Sequence, residues 1–345
     1  MHFLHAMSGI VLLVGSLLAV SPGQAVTPAA AADDPSELVK ALSVIPDDPI
    51  TFTAIVENDV IFAVDRHYSS GVSVMYTTSR GGTPSFMRRI GHWFAPEGEV
   101  HATLALAHNI YTSRSIIMRR LDDRDRPYAA MLYASAGIEA SSATHYDNLT
   151  LTLGTIGPAA LGKQFQEVIH AAIGPTPRRW DSQLSNEPAM ILAYTHAWRR
   201  QLGTIGGLRA EWLPQVDLVA GNIFTYGGAG MTFRVGDHMP LDYGPTRVLP
   251  AIQGSTVFVQ ASKIGWYVFA GSEVRGVVRN IFLDGNTWAE SRNVPKHHTV
   301  VDIQFGWAIV WRNTRLSMSH VLRTKEFERQ ADLDLFGSLD LSIHR

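Results

Sequence analysis

The sequence predicts an all-β fold: a twelve-stranded antiparallel transmembrane β-barrel with a short helix in an outer loop. The first observation is alternation with a period of two. From Gly207 to Leu218, Leu208, Ala210, Trp212, Pro214, Val216 and Leu218 fall on one face, with Arg209, Glu211, Gln215 and Asp217 on the other. Val301–Trp311 and Asp332–Ile343 repeat the pattern, setting Ile303, Phe305, Trp307 and Ile309 against Asp302 and Gln304, and Leu339, Leu341 and Ile343 against Ser338, Asp340 and Ser342. A period of two is that of a strand. An apolar face about ten residues long, backed by polar residues, suits lipid outside and a wet interior. The second observation is the even count of such segments. The third follows from chemistry: strands in hydrocarbon cannot leave open edges, so they must close into a barrel.

Before the barrel, residues 1–25 read as a signal peptide. An apolar run from Ile10 to Val20 precedes the small-residue stretch Gly23-Gln24-Ala25. That run is short for a membrane-spanning helix. Residues 26–48 are rich in Ala, Pro and Asp and read as a flexible mature N-terminus with one short helix at Ser36–Leu42. The barrel occupies 49–345 as one domain. Its strands are expected near 51–58, 70–79, 101–111, 128–141, 146–157, 188–201, 206–219, 223–236, 265–281, 298–312, 313–324 and 332–344. Tyr76, Trp198, Trp212, Trp266 and Trp311 lie toward strand ends, as an interfacial girdle requires. With the N-terminus in the periplasm, the longer connections fall mostly outside. The connection at 80–100 is periplasmic and unusually long, and its Met87–Phe94 stretch is amphipathic.

Composition removes several classes of function. The chain has no cysteine, which excludes disulfides, thiolate catalysis and Cys-based zinc sites. Its formal net charge of −2 gives no broad basic surface for nucleic acid. No Gly-x-Ser-x-Gly elbow occurs, so a soluble-lipase triad is not expected.

Two places concentrate chemistry. Gly157–His170 begins with a strand stop and continues as a helix that Gly174 and Pro175 end. Gln166 and His170, spaced i, i+4, share one helical face. The plain alternative is an exposed histidine on a solvated helix. At the end of the first strand stand Glu57-Asn58-Asp59, and near the start of the second Tyr68-Ser69-Ser70-Gly71. Asn58 and Asp59 offer hard oxygen ligands suited to Ca2+, though such residues more often only make turns.

In order and spacing these pieces resemble the lipid A 3′-O-deacylase family of outer-membrane barrels. The resemblance covers nearly all of the chain after residue 50. It is carried by Glu57-Asn58-Asp59, Asp65–Gly71, Asp125–Ala129, Gly157–His170, Trp180–Pro188 and Arg279–Asn286. It implies a bacterial outer-membrane enzyme, active at the outer face, that hydrolyses the ester-linked 3′ acyloxyacyl group of lipid A with Ca2+. By resemblance, Asn58 and Asp59 hold the metal, Ser69 stands at a hydroxyl position, and Gln166 and His170 are the helical pair with His170 as base. The family's essential glutamate, six residues after the histidine, is here Thr176, leaving Asp181 or Glu187 as candidates for the missing carboxylate.

The chemistry expected of such a site is a water activated by His170, with Ca2+ holding the oxyanion. Arg119 and Arg120 would meet lipid A phosphates; their plain reading is a solvated basic turn. The expected partners are lipopolysaccharide and outer-membrane lipids, with the barrel a monomer. Two rival readings stay open. One is an outer-membrane phospholipase with Ser69 as nucleophile. The other is a non-enzymatic pore or scaffold whose interior Arg209, Glu211, Asp217, Glu273 and Arg275 line a channel or pair and plug it.

Overall fold

A computed structural model describes residues 49–59, 67–96, 98–114, 124–173, 180–248, 254–258 and 264–345, with backbone alone for 169–173. The expected signal peptide, the mature N-terminus and the helix at 36–42 lie outside these residues. The described strands are β1 (Thr51–Asn58), β2 (His67–Thr77), β3 (Glu99–Thr112), β4 (Ala129–Ser141), β5 (His145–Ile156), β6 (Glu187–Trp198), β7 (Arg200–Ile205), β8 (Leu208–Gly221), β9 (Phe224–Asp237), β10 (Gly265–Asn280), β11 (Thr299–Trp311), β12 (Thr314–Arg323) and β13 (Asp334–His344). Each pairs antiparallel with its neighbours. β13 returns to β1 with His344 opposite Thr51, and β6 meets β8 with Ile191 opposite Gly221, so the sheet closes.

The ring is the expected twelve-stranded barrel, with one added strand. The sixth strand, predicted as continuous over 188–201, breaks at Arg199, whose N–H donates to the carbonyl of Thr144. β7 then carries the same register onward: Ala197 faces Gln215 and Arg200 faces Trp212. It is exposed throughout and projects past the rim as a hairpin. Gly206 and Gly207, both with positive φ, make the two-residue turn that a tight hairpin needs.

Alternation decides the two faces. Leu104, Leu106, Leu153, Met190, Leu218 and Phe305 stand exposed on the outer wall, where lipid would cover them. No described helix is long and apolar enough to cross a membrane; the strands do so. The lumen is polar and packed. Asp302 accepts two hydrogen bonds from Arg275, at 3.0 and 3.1 Å, and two from Arg323, at 2.9 and 2.8 Å. Arg234 bridges Glu211 and Asp242, and Arg315 reaches Asp242 at 3.1 Å. The connection after β9 folds into this interior: Arg247 Nε donates to Glu57 Oε1 at 3.1 Å and Thr256 Oγ1 to Glu139 Oε2 at 2.9 Å. A cavity of about 70 Å³, bounded by Thr103, Glu139, Asn148, Thr150 and Arg247, remains beside it. The interior residues Glu211, Glu273 and Arg275 are thus paired, and Arg209 donates to the carbonyl of Met239. This is the plugged alternative rather than the lined channel.

Three helices decorate the barrel among the described residues. α1 (Ser85–Phe94) lies at the rim that carries the termini, α2 (Gly162–Ile173) at the opposite rim, and α3 (Ile281–Asp284) in the connection after β10. α3 is fixed by reciprocal bonds: Asn280 Oδ1 accepts from the N–H of Phe282 and Asp284 Oδ2 from that of Asn280.

Candidate active site

The site is set by which side of the wall each residue faces. On β1, Glu57 points into the lumen, where Tyr68 donates to it at 2.9 Å and Arg247 at 3.1 Å. Asn58, the next residue, therefore points outward, and Asp59 follows it, buried, just past the strand end. Opposite Asn58 in register stands Ser70.

β2 begins at His67, three residues earlier than the predicted 70, because its first turn is irregular. His67 holds a left-handed backbone (φ 63°), and the register of β2 on β3 slips between Tyr68 and Ser70. Such a bulge inserts one residue and re-aims its neighbours. Tyr68 goes inward, onto Tyr111 and Phe336. Ser69 goes to the other face, with its Oγ 2.6 Å from Thr112 Oγ1. His67 anchors the bulge: its Nδ1 lies 2.5 Å from Asp334 Oδ1 and its Nε2 3.7 Å from Asp125 Oδ1.

Farther along the same outward face of β3 come Ile110 and His108. His108 Nε2 lies 2.8 Å from the carbonyl of Ala160, and its ring lies on Phe165 at 4.5 Å between centroids. Those partners belong to the connection after β5, which folds back over the outside of the barrel. Pro158–Ala160 form a 3-10 turn, Leu161 turns left-handed, and α2 begins. Its first residue must be glycine, since a Cβ at Gly162 would sit 2.4 Å from both Ala130 Cβ and the Trp180 ring. Ile110, Tyr128, Ala130, Ala160 and Trp180 form the apolar seam beneath the helix. Leu161, just before α2, and Val168 on it stay exposed.

Gln166 is 3% exposed and turns toward the wall. Its Oε1 accepts from Trp180 Nε1 at 2.9 Å, while its Nε2 has no partner among the described residues. His170 follows one turn later on the backbone of α2. Arg119, Arg120 and Thr176 lie outside the described residues. Of the two candidate carboxylates, Asp181 is exposed on the 3-10 turn Trp180–Ser182. Glu187 is committed elsewhere: Asn222 donates to one oxygen at 3.0 Å, and Asn286 and the N–H of Thr287 to the other at 3.1 and 2.7 Å. It ties two loops together.

Among the described residues no group of three His, Cys, Asp or Glu side chains is arranged to hold a metal. Asn58 and Asp59 bring an amide and a carboxylate oxygen, with the Ser69, Ser70 and Thr112 hydroxyls on neighbouring strands. This all-oxygen donor set fits a hard cation such as Ca2+ in kind. Sequence reasoning missed Thr112 and His108, which no motif marks, and named Trp180 only as the start of the stretch Trp180–Pro188, without its bond to Gln166.

A closed barrel with an apolar outer wall and a polar, packed lumen defines the class of outer-membrane β-barrel proteins. A family model described as Outer membrane protein LpxR matches residues 12–345. The chain belongs to that family, the lipid A 3′-O-deacylase family. Among solved structures, LpxR from Salmonella typhimurium is similar with a TM-score of 0.70 and 22% identity, over 85% of this chain and 99% of that one. The translocator domain of the autotransporter NalP from Neisseria meningitidis (TM-score 0.35, 11% identity, 89% and 94% covered) and the P. putida toluene transporter TodX (0.32, 10%, 91% and 93%) are far more distant. A search of curated protein sequences gave no match.

Proposed function

We propose that this protein is an outer-membrane lipid A deacylase that hydrolyses the ester-linked 3′ acyloxyacyl group, with its site at the outer face. One observation carries the reading. The polar residues Asn58, Ser69, Ser70 and Thr112 stand on the outward face of the wall at the rim that carries α2, and Leu161, just before that helix, and Val168 on it are exposed to acyl chains. A substrate anchored in the bilayer would reach such a site sideways, without leaving the membrane.

In the proposed reaction, His170 takes the proton of a water that attacks the ester carbonyl, since imidazole titrates near neutrality, and returns it to the 3′ oxygen of the sugar as the acyl C–O bond breaks, releasing the acyl group as a carboxylic acid. Gln166 Nε2 is a donor available on the same helix for the carbonyl oxygen, while Trp180 fixes the other end of that amide. Asn58 and Asp59 would hold Ca2+, which supplies charge for the developing oxyanion. Ser69 is held by Thr112 rather than by a histidine, which suits a positioning hydroxyl better than the phospholipase nucleophile. Arg119 and Arg120 would meet lipid A phosphates. The paired and filled lumen gives the pore reading no support.

The test is mass spectrometry of lipid A from cells with and without the protein, and with His170→Ala. We expect loss of one acyloxyacyl group only with the active protein, and a drop of about 10²–10⁴-fold in His170→Ala with assembly intact. Intact lipid A together with lysophospholipid would overturn the assignment. Full deacylation by His170→Ala would remove the base.

A further inference from the structure

The connection after β2 holds a feature that hydrolysis does not use. α1 packs against the outside of the barrel near the termini, not under its mouth. Met87 and Ile90 lie on Val100, Ile138 and Ala140. Val100 and Ile138 are outward residues, because Thr103 and Glu139, of opposite parity on β3 and β4, line the lumen. At its end Phe94 reaches Tyr194 of β6, 5.4 Å between ring centroids. The helix thus lies across the outer wall, next to the exposed Leu104 and Leu106 of β3.

Its other side has no protein partner among the described residues. Phe86 and Trp93, seven residues apart and so on one face, are 61% and 74% exposed. Arg88 and Arg89 are exposed beside them, and α1 contains no acidic residue. Two large apolar side chains flanking two cations, along a helix that continues a lipid-facing belt, match a segment lying flat at a membrane interface. Aromatic rings there sit at headgroup depth and the guanidiniums meet phosphates.

We propose that α1 is an interfacial helix that binds anionic phospholipid headgroups in the leaflet next to the termini-bearing rim, with Trp93 and Phe86 inserted and Arg88 and Arg89 on the phosphates. This rests on the barrel's orientation of surfaces and not on the deacylase reading. A cation near an anionic bilayer surface contributes roughly fivefold in binding, so two contribute about 30-fold.

The full-length protein is reconstituted in phosphatidylglycerol vesicles brominated high on the acyl chain. The emission of Trp93, taken as wild type minus Trp93→Phe, should be quenched by the bromolipid and insensitive to aqueous iodide. Quenching by iodide and not by bromolipid overturns the proposal. In native mass spectrometry, wild type should retain phosphatidylglycerol over phosphatidylcholine, and Arg88→Gln/Arg89→Gln should lose that preference about 30-fold. An unchanged preference overturns the headgroup assignment. A photoreactive residue at position 93 should link to lipid in outer membranes; capture of a protein instead overturns it. Heat-modifiable migration on gels confirms that each variant is folded.

Discussion

Trp180→Phe tests how α2 is held to the wall. In the folded protein Trp180 donates to Gln166 Oε1 at 2.9 Å, and both side chains are buried. Phenylalanine keeps an edge-on ring against Tyr128, which meets the indole at 69° and 5.5 Å, but it carries no donor. Gln166 Oε1 then lies buried without its partner, at a cost of about 1–3 kcal/mol. The smaller ring leaves a void of a few tens of Å³, which adds about 1 kcal/mol at about 24 cal/mol per Å³. The sum, about 2–4 kcal/mol, acts on docking of α2 and not on the ladder of the barrel. It raises the open population of the helix about 30- to 700-fold. Hydrogen exchange of peptides covering 161–173, in detergent-solubilised protein, reads that change directly. Faster exchange there, with strand peptides unchanged, is the expected result. The double variant Trp180→Phe/Gln166→Leu removes both polar partners and should recover much of the protection. Wild-type exchange in Trp180→Phe would show that the indole bond does not hold the helix.

Three further outcomes follow from the same structure. Asp302→Asn leaves Arg275 and Arg323 facing a neutral amide; breaking such buried pairing costs about 3–5 kcal/mol, so the temperature of the heat-modifiable gel shift should fall clearly. Burial alone would raise the Glu326 carboxyl, but the Arg126 and Arg323 guanidiniums hold it below the usual glutamate range. Its folded value is therefore depressed, so its contribution is complete above the ordinary range and lost as pH falls through the lowered value; protease cleavage within 324–333 should increase under acid and do so less in Glu326→Gln. Chelation of Ca2+ should abolish deacylation, and Asp59→Ala should weaken Ca2+ rescue more than Asn58→Ala, because the carboxylate carries the charge.

The barrel was legible because its two solvents differ. Lipid on one side and a polar, ion-paired lumen on the other force strict alternation, as in Asp302 and Gln304 against Ile303 and Phe305. The break at Arg199 was not legible, since the side-chain pattern continues across it; only the bond from its N–H to Thr144 reveals it. The site was legible in part. The i, i+4 spacing placed Gln166 and His170 together on α2, but the indole that takes the Gln166 carbonyl comes from a turn 14 residues later. The bulge at Ser69 depends on His67, whose partner Asp334 is 267 residues distant in sequence. Nothing local signals either contact. Glu187 looked like an available carboxylate and is instead consumed by loop–loop bonds.

The adjacency of Glu57, Asn58 and Asp59 explains why such a site can sit on a membrane wall at all. A strand sends successive side chains to opposite faces. Glu57, turned inward, is charge-paired with Arg247 and bonded by Tyr68, so it costs little in the lumen and locks the interior segment in place. Asn58, turned outward, would be costly in hydrocarbon without partners. It is tolerated because β1 ends there, at the rim, where headgroups begin. The Ser69 bulge does the same for β2, delivering a hydroxyl outward at the level of Thr112. Asn58, Ser69 and Thr112 thus stand at the rim ends of β1, β2 and β3, and His108, farther along β3, is covered by Ala160 and Phe165 of the connection that carries α2.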